Sequence, residues 1–408
     1  MPHYEGPETP RAVDFFAGAG GFTEGLLEAG VNVTHAFEKD QMARLTYHVR
    51  HSEPNNISVH PDAADIDSAR FPEPIDIIVG GPPCQNFSTN GTGCQTDLYR
   101  NKLPFVMVEW AKRLDPTICI LENVEGMKST DEDILGALRD QFEDIEYNTS
   151  VITLNAEEYG VPQQRRRVFL IAIDKSAPQP DIIEPPTVCN EGQQRFNQLS
   201  RGESQSYLTA KEAIEDLPAP LSPQHPADDP IHTTLSDLTP EEFTGRYTNC
   251  RVDPRSYPEP VTRNGTEVFI PPNHVEPDHS LETRKKNANR ELGRNKEPTT
   301  SRRLHPDKPA PTITFSSATP PIHYYGQAPS KPNADIEDVR RLTVREMARL
   351  QGFMDSYTFA GTKTEQSRQV ANAVPPPVAR ALGRYLRKTV FESNETESSN
   401  PELPTPTQ

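Results

Sequence analysis

The sequence of 408 residues has little apolar material: hydrophobic residues make up 34% of it, and its mean hydropathy is −0.71. It contains no run of about 18 apolar residues, the minimum for a helix that spans a bilayer. The amino terminus has no charged stretch followed by an apolar one, so a secretory signal is not expected. These absences predict a cytoplasmic protein with long polar loops or tails, built as one large domain or two.

Cysteine is also scarce. The five cysteines are odd in number and include no CxxC pair. A disulfide framework and a zinc site are therefore not expected, and we predict that the protein holds no metal. Each cysteine must therefore be considered individually. Cys84, which directly follows Pro82 and Pro83, has the most unusual setting.

Positive charge is in short supply as well, because 42 Lys and Arg stand against 59 Asp and Glu, a formal net charge of −17. A total of this sign argues against nucleic acid as a partner. Residues 283–303 reverse it locally, with eight basic residues against two acidic ones, a net of +6. If DNA is bound, we expect its phosphates to contact this segment. The candidate residues are Arg284, Lys285, Lys286, Arg290, Arg294, Arg302 and Arg303.

Apolar strands alternate with helices in the first part of the chain. The predicted strands are 11–17, 75–81, 117–121 and 168–173, and the helices include 22–29 and 103–114. Strands that are apolar throughout, each followed by a helix, predict an α/β fold with a parallel sheet covered on both faces. Residues 174–335 are rich in Pro, Asn, Ser and Thr, which indicates a second, loop-dominated region.

The carboxyl-terminal part returns to helix. Thr343 and Glu346 are spaced as a capping box at the start of a segment with helical apolar spacing. Residues 370–390, at the proline turn, predict a final amphipathic helix. Residues 391–408 are polar and contain proline, which predicts a disordered acidic tail.

A glycine-rich loop follows the first strand. In FFAGAGGF, Gly18, Gly20 and Gly21 end a strand and open a helix, which places backbone N–H groups where a cofactor can approach. Glu38, at the end of a second predicted strand, is placed to accept hydrogen bonds from ribose hydroxyls. Asp65 is predicted to meet an adenine amine. Together these elements favour a nucleoside cofactor over a tight turn with solvated acids.

Two reactive side chains follow strands of the same predicted sheet. Cys84, in GGPPCQNFS, and Glu122, in ILENV, each come directly after a strand. Because ligands bind beyond the carboxyl ends of strands in open α/β sheets, we expect the thiol and the carboxyl to converge on one small molecule. Arg165 and Arg167, in QQRRR, are two residues apart and share a face if the segment is extended. Gln163 shares their parity.

Six blocks of sequence occur in the order FAGAGGF, GGPPCQNFS, ENV, QQRRR, RLTVREMARLQGF and QVANAVPPPVA. They resemble the cytosine-C5 DNA methyltransferases over roughly residues 11–175 and 336–385. The resemblance implies a Rossmann-like class I methyltransferase sheet with helices on both faces and a smaller, irregular target recognition domain. The implied divisions are a catalytic and cofactor-binding part (1–180), a recognition part (181–361, with 336–361 as its adjoining helical segment), a return to the catalytic part (362–390) and the tail (391–408).

The resemblance also implies the chemistry. A methyl group passes from S-adenosyl-L-methionine to C5 of a cytosine flipped out of duplex DNA. Cys84 is the implied nucleophile at C6, Glu122 the acid at N3, and Arg167, with Arg165 beside it, the group at O2. Lys39 stands where many relatives have an aromatic residue that stacks on adenine. The implied cofactor residues are Phe16, Gly18, Gly20, Gly21, Glu38, Lys39, Asp65, Ile66, Pro83, Leu103, Asn372 and Val374. Gln85, Ser88 and Gln163 are implied DNA contacts.

Other interpretations stay open on the sequence alone. A tRNA cytosine methyltransferase of the same fold usually has a shorter small domain, and a catalytically inactive relative would not need Cys84, Glu122 and Arg167 together. An amino-methyltransferase would need no thiol, and a nicotinamide oxidoreductase would leave QQRRR unexplained. The expected partners are double-stranded DNA and a cognate restriction endonuclease that acts separately. We expect a monomer without membrane contact.

Overall fold

A computed structural model describes most of the predicted catalytic part and several segments of the predicted recognition part. The described residues are 7, 9–52, 55–63, 71, 73–83, 103–123, 134–187, 207–217, 220, 261–263, 266–268, 272–290, 292–293, 302–314, 321–324 and 339–392. Within these ranges no helix is both long and apolar enough to cross a membrane.

A seven-stranded sheet forms the centre of the catalytic part. In chain order the strands are β1 (Arg11–Phe15), β2 (Asn32–Phe37), β3 (Ser58–His60), β4 (Ile77–Gly80), β5 (Ile118–Asn123), β6 (Tyr147–Asn155), the short β7 (Gln163–Gln164) and β8 (Arg166–Asp174). The spatial order is β3-β2-β1-β4-β5-β8-β6, with β7 outside this sheet. Strands β1 to β5 pair in parallel, as predicted, whereas β8 runs antiparallel to both β5 and β6.

Helices flank the sheet and build the carboxyl-terminal part. They are α1 (Gly21–Glu28), α2 (Gln41–Tyr47), α3 (Leu103–Leu114), α4 (Ile134–Glu143), α5 (Ala210–Ile214), α6 (Leu281–Ala288), α7 (Val344–Leu350), α8 (Lys363–Asn372) and α9 (Pro376–Leu386). The predicted helices at 22–29 and 103–114 are confirmed as α1 and α3. The capping box at the start of α7 is confirmed too, because Thr343 and Glu346 exchange their side-chain-to-backbone hydrogen bonds.

Alternate residues of the central strands enter two separate apolar clusters. Ala12 of β1 belongs to one cluster, together with Leu26 of α1 and Leu382 of α9. The next residue, Val13, belongs to the other, together with Trp110 of α3. Since side chains alternate between the faces of a strand, the two clusters lie on opposite faces of the sheet. Both faces are therefore buried under helices, which explains why the strands are apolar throughout.

The predicted helix at 370–390 contains the end of α8, then α9, which continues as a π-helical turn over Arg387–Phe391. Pro376 is the first residue of α9, a position at which a missing N–H costs nothing because it has no partner within the helix. The apolar core continues beyond α9 to Phe391, which is 6% exposed. Phe391 therefore belongs to the core and not to the predicted tail, and residues 393–408 lie outside the described residues, so the rest of the tail stays a prediction.

Part of the predicted recognition part packs against the sheet-bearing part, because β11 (Ala310–Pro311) pairs with β7. The antiparallel strands β9 (Val261–Arg263) and β10 (Thr266–Val268) pair with each other. A third apolar cluster joins Leu304 and Ile313 of the recognition part to Ala19 of the glycine loop. The glycine loop and the predicted recognition part thus share one core.

Candidate active site

Three loops of the site leave the sheet side by side. Strand β4 lies between β1 and β5, and Phe15, Gly80 and Leu121 are paired in register across the three strands. The glycine loop, the Pro82–Pro83 segment and Glu122 therefore emerge together at the carboxyl-terminal ends of these parallel strands, which we call the site edge of the sheet. The start of β8 reaches the same edge because β8 runs antiparallel to β5. This brings the arginines of QQRRR to the site, which the sequence pattern alone does not specify.

The glycine loop is fastened to the end of β2. The backbone has a positive φ at Phe16 and Gly18, 56° at each. The N–H of Ala17 donates to the carbonyl of Phe37 at 3.0 Å. The N–H of Gly18 donates to Oε2 of Glu38 at 2.7 Å. The predicted ribose-binding acid therefore also orients the loop.

The three loop glycines have different surroundings. Apart from its chain neighbours, no heavy atom of the described residues lies within 4 Å of the position that a Cβ on Gly18 would take. A Cβ on Gly20 would meet His51 Nε2 at 2.6 Å, and one on Gly21 would overlap the carbonyl oxygen of Val374. Gly20 and Gly21 are thus packed against the protein, whereas the open side of the loop lies at Gly18. A nucleoside cofactor fits this open side, where it can come close to the backbone.

Glu38 keeps acceptor capacity for a ribose. Its second oxygen, Oε1, accepts from the N–H of Asp40 at 2.6 Å, and burial raises the pKa of the carboxyl. Each carboxylate oxygen has a further lone pair beyond these hydrogen bonds. Lys39 is exposed, with its ammonium 3.4 Å from Asp62. The other predicted cofactor residues on this side, Asp65 and Ile66, lie outside the described residues.

The segment that leads to Cys84 is held by the end of β5. Pro82 is buried, and its carbonyl accepts a hydrogen bond from Nδ2 of Asn123 at 3.4 Å. Pro83 is exposed. The remaining residues predicted in this stretch, Cys84, Gln85 and Ser88, lie outside the described residues, so their roles stay predictions. Three predicted cofactor residues elsewhere are described: Leu103 is half-buried, Asn372 is exposed and Val374 is buried in the apolar core.

Glu122 and Arg167 form a buried ion pair. Nε of Arg167 lies 3.0 Å from Oε1 of Glu122, and the side chains are 16% and 10% exposed, respectively. Glu122 is paired with Phe169 across the two strands, and Arg167 lies two residues before Phe169 on the same face. Burial lowers the pKa of Arg167, an effect that the charge of Glu122 opposes. The pair therefore places two convergent polar groups at the edge where the loops meet.

Arg165 lies close enough to interact with the charges of Glu122 and Arg167, but its guanidinium is bound to backbone carbonyls. Its guanidinium donates to the carbonyls of Ala373 at 3.0 Å and Ile313 at 3.4 Å, and the residue is 2% exposed. Burial holds its pKa well below the usual value, and the like charge of Arg167 adds to this. The predicted catalytic role is therefore corrected. Arg165 is a buried support for the turn after α8 and for the strand that carries Arg167.

The predicted DNA contact of Gln163 is wrong. The side chain has no exposed surface. Its Nε2 donates to the carbonyl of Leu350 at 3.0 Å and to Oε1 of Gln351 at 2.6 Å, while its own Oε1 accepts from the N–H of Ile313 at 2.9 Å. Gln351, in the RLQGF block, also donates to the carbonyl of Ala373 at 2.6 Å. Gln163 and Gln351 thus join β7, α7 and the turn after α8.

The basic segment 283–303 divides into buried and exposed residues. Arg303 has no exposed surface and donates to the carbonyls of Ala288 and Arg290, so its predicted DNA contact is wrong. Arg284 is paired with Glu276 at 2.8 Å. The predicted DNA contacts that remain exposed are Lys285, Lys286 and Arg302, while Arg290 is half-buried and Arg294 lies outside the described residues.

The sheet and its loops define the class of protein. The order β3-β2-β1-β4-β5-β8-β6, with β8 antiparallel, is a Rossmann-like class I methyltransferase sheet, with a glycine loop after β1 and an acid after β2. The fold is similar to that of a solved protein described as a DNA modification methyltransferase encoded within a prophage of E. coli. The match covers 93% of this chain and 99% of that one, with a TM-score of 0.67 and 24% identity.

The family follows from comparison with known sequences. The family model "C-5 cytosine-specific DNA methylase" matches residues 11–388, and the chain belongs to this family. It is 30% identical to the Type II methyltransferase M.DdeI of Desulfomicrobium norvegicum, over 95% of this chain and 91% of the relative. It is 27% identical to the Type II methyltransferase M.AgeI of Thalassovita gelatinovora, over 93% and 100%. The protein is thus a DNA (cytosine-5-)-methyltransferase with S-adenosyl-L-methionine as methyl donor.

Proposed function

We propose that the protein methylates C5 of a cytosine within a specific duplex sequence, through a covalent adduct between Cys84 and C6 of the flipped base. The observation that carries this proposal is the buried pair of Glu122 and Arg167. It lies at the edge of the sheet where the Pro82–Pro83 segment leads into Cys84. The glycine loop emerges one strand away.

Covalent addition of a cysteine to the ring overcomes the low reactivity of C5. The thiolate of Cys84 forms a bond to C6, and the electron pair of the C5–C6 double bond moves into the ring and makes C5 nucleophilic. C5 then takes the methyl group, whose bond to the donor sulfur breaks and leaves its electron pair on that sulfur. A base such as water takes the C5 proton, the freed pair re-forms the C5–C6 double bond, and cleavage of the S–C6 bond releases Cys84 as thiolate.

Three groups of the chain hold the base during these steps. When the base is bound, the carboxyl of Glu122 and N3 share one proton taken up from solvent, which offsets the negative charge that develops as the thiolate adds. The guanidinium of Arg167 donates to O2, and its ion pair with Glu122 keeps it in place before the base arrives. The carbonyl of Pro82 accepts from the exocyclic amine, with Asn123 on its other lone pair.

The glycine loop and its neighbours hold the methyl donor. S-adenosyl-L-methionine supplies an electrophilic methyl group on a sulfonium sulfur when it is bound. Gly18 leaves room for it, Glu38 accepts from the ribose hydroxyls, and the stem of Lys39 covers one face of the adenine. We further infer contacts from Phe16, Leu103 and Asn372.

DNA must supply a flipped base, which costs a few kcal/mol of lost stacking and pairing. In an acidic protein the compensating phosphate contacts must be concentrated on a small surface. We assign them to Lys285, Lys286 and Arg302, which are the exposed charges of the basic segment within the described residues. As in the systems of its type II relatives, a separate restriction endonuclease would cut the same sequence, and the methyltransferase would act as a monomer.

Bisulfite sequencing tests the reaction and reads the target sequence together. DNA from cells that express the protein should carry protected cytosines at one recurrent sequence, and DNA from cells with the Cys84→Ser variant should carry none. Duplex DNA with 5-fluorocytosine at the target should give an adduct that survives denaturing electrophoresis, because fluorine cannot leave C5 as a proton does. Unprotected DNA together with methylated tRNA would favour the tRNA alternative, and full activity of Cys84→Ser would refute the covalent mechanism.

A further inference from the structure

We propose that Tyr357 is a positioning residue for S-adenosyl-L-methionine: its hydroxyl holds the carbonyl of Ala19 and thereby the shape of the glycine loop. The inference rests on the proposed function in that it takes the glycine loop as the cofactor site. Tyr357 lies in the 336–361 segment, outside the six sequence blocks that resemble the family, and no sequence pattern indicates its role.

The hydroxyl of Tyr357 is buried between two partners. It donates to the carbonyl of Ala19, 338 positions away in the chain, and lies 3.0 Å from Nε2 of His51. A carbonyl can only accept, so the single hydroxyl proton faces Ala19 and Nε2–H of His51 donates to the hydroxyl oxygen. Burial lowers the pKa of His51 to about 3. The ring is therefore neutral near pH 7, with its one proton on Nε2.

The bond to Ala19 restrains the loop at its centre. The Ala19 carbonyl and the Gly20 N–H belong to one planar peptide unit, so a fixed carbonyl fixes the direction of that N–H, which donates to Ala17 at 2.9 Å. Gly20 has φ of 91°, and a Cβ on it would lie 2.9 Å from the hydroxyl of Tyr357. The loop is thus folded directly onto Tyr357 and His51, which leaves its Gly18 side open.

Tyr357 is itself held rigidly. Its backbone carbonyl accepts from the buried guanidinium of Arg345, which also donates to the carbonyl of Pro272 at 2.9 Å. Its ring lies 4.6 Å from that of Phe353 and 5.3 Å from that of Phe359. Because Pro272 belongs to the recognition part, the restraint on the glycine loop comes from outside the catalytic part. A side chain fixed in this way can define the loop before the cofactor binds.

The test compares cofactor binding by a variant that lacks the Tyr357 hydroxyl with binding by a variant that lacks another buried tyrosine hydroxyl. Tyr357→Phe removes the bond to Ala19. Tyr147→Phe is the control. Tyr147 is 1% exposed and its hydroxyl donates to the carbonyl of Pro116 at 2.5 Å. It lies on β6, an outermost strand of the sheet that is separated from β1 and the glycine loop by three other strands. Binding of S-adenosyl-L-methionine to each full-length protein, without DNA, is measured by isothermal titration calorimetry. Loss of one such hydrogen bond should raise Kd by roughly five- to tenfold for Tyr357→Phe and leave it within twofold for Tyr147→Phe.

Kinetics separate positioning from general damage. For Tyr357→Phe we expect KM for the cofactor to rise by the same factor, with kcat at saturation within about twofold of wild type. Equal Kd values for the two variants, or a loss confined to kcat, would overturn the inference.

If Tyr357→Phe does not fold, His51→Leu removes the donor that supports the hydroxyl and should raise Kd in the same direction by a smaller factor; an unchanged Kd overturns the inference. A wild-type protein that does not bind the cofactor would refute the proposed function itself. A wild type that binds it, with variants that bind equally well, refutes only the role of Tyr357.

Discussion

Glu122→Gln is the substitution that separates the structural and chemical roles of the buried ion pair most clearly. Gln keeps the size of the side chain and one oxygen that can face Arg167, but it removes the negative charge and the acid. The guanidinium of Arg167, 16% exposed and 3.0 Å from Glu122, would then be buried without a counter-charge.

The expected effects follow from these distances and burials. Removing one partner of a buried pair costs about 3–5 kcal/mol, and the oxygen that Gln keeps places this variant near the lower end. A domain of ordinary stability, about 5–15 kcal/mol, would remain folded. Loss of the acid at N3 should slow methyl transfer by roughly 100- to 10,000-fold.

The assays are urea unfolding and transfer of a labelled methyl group to DNA. Asp355→Asn is the control, because Asp355 pairs with Arg349 at 2.6 Å and the side chains are 15% and 18% exposed. Arg349 keeps Asp216 as a second partner, so this variant should lose less stability and retain methyl transfer. Near-normal methyl transfer by folded Glu122→Gln would refute the assignment of Glu122 as the acid. An equal loss of activity in Asp355→Asn would show that the assay reports stability alone.

Three further predictions use contrasts within the chain. Gly18→Ala, in open space, should cost about 1 kcal/mol of stability but weaken cofactor binding, whereas Gly20→Ala, 2.6 Å from His51, should destabilise the protein more strongly in urea unfolding. Gln163→Ala should lose stability by about 1–3 kcal/mol without altering the salt dependence of DNA binding, whereas Lys285→Ala should reduce the slope of log K against log salt by about 1. Burial raises the pKa of Asp14 from 3.8 to about 7, so its stabilising contribution is complete below pH 3.8 and is lost as pH rises through 7. Asp14→Asn should remove this loss, of which about 3 kcal/mol falls between pH 5 and pH 8, so that the difference between the urea unfolding free energies at these two pH values shrinks; an unchanged difference would contradict it.

Charge and residue type in the basic segment were poor guides to function. Arg303 and Lys285 look equivalent in the sequence, yet Arg303 is a buried donor to backbone carbonyls and Lys285 is exposed. The same holds for Arg165 and Arg167, which share parity but have different partners. Such differences depend on what packs around each side chain, and this comes from residues that are distant in the chain.

The local sequence pattern was sufficient to predict several strands and helices and the type of reaction. Apolar strands, the glycine loop and the capping box of α7 depend on neighbouring residues, whose backbone preferences and periodicity are visible in the sequence. The ordered blocks around Cys84 and Glu122 indicated the family because each block carries a specific chemistry. The tertiary structure alone decided the antiparallel direction of β8, the pairing of Arg167 with Glu122 and the contact of Tyr357 with Ala19. These depend on strand order and on contacts across hundreds of residues, for which a linear pattern contains no signal.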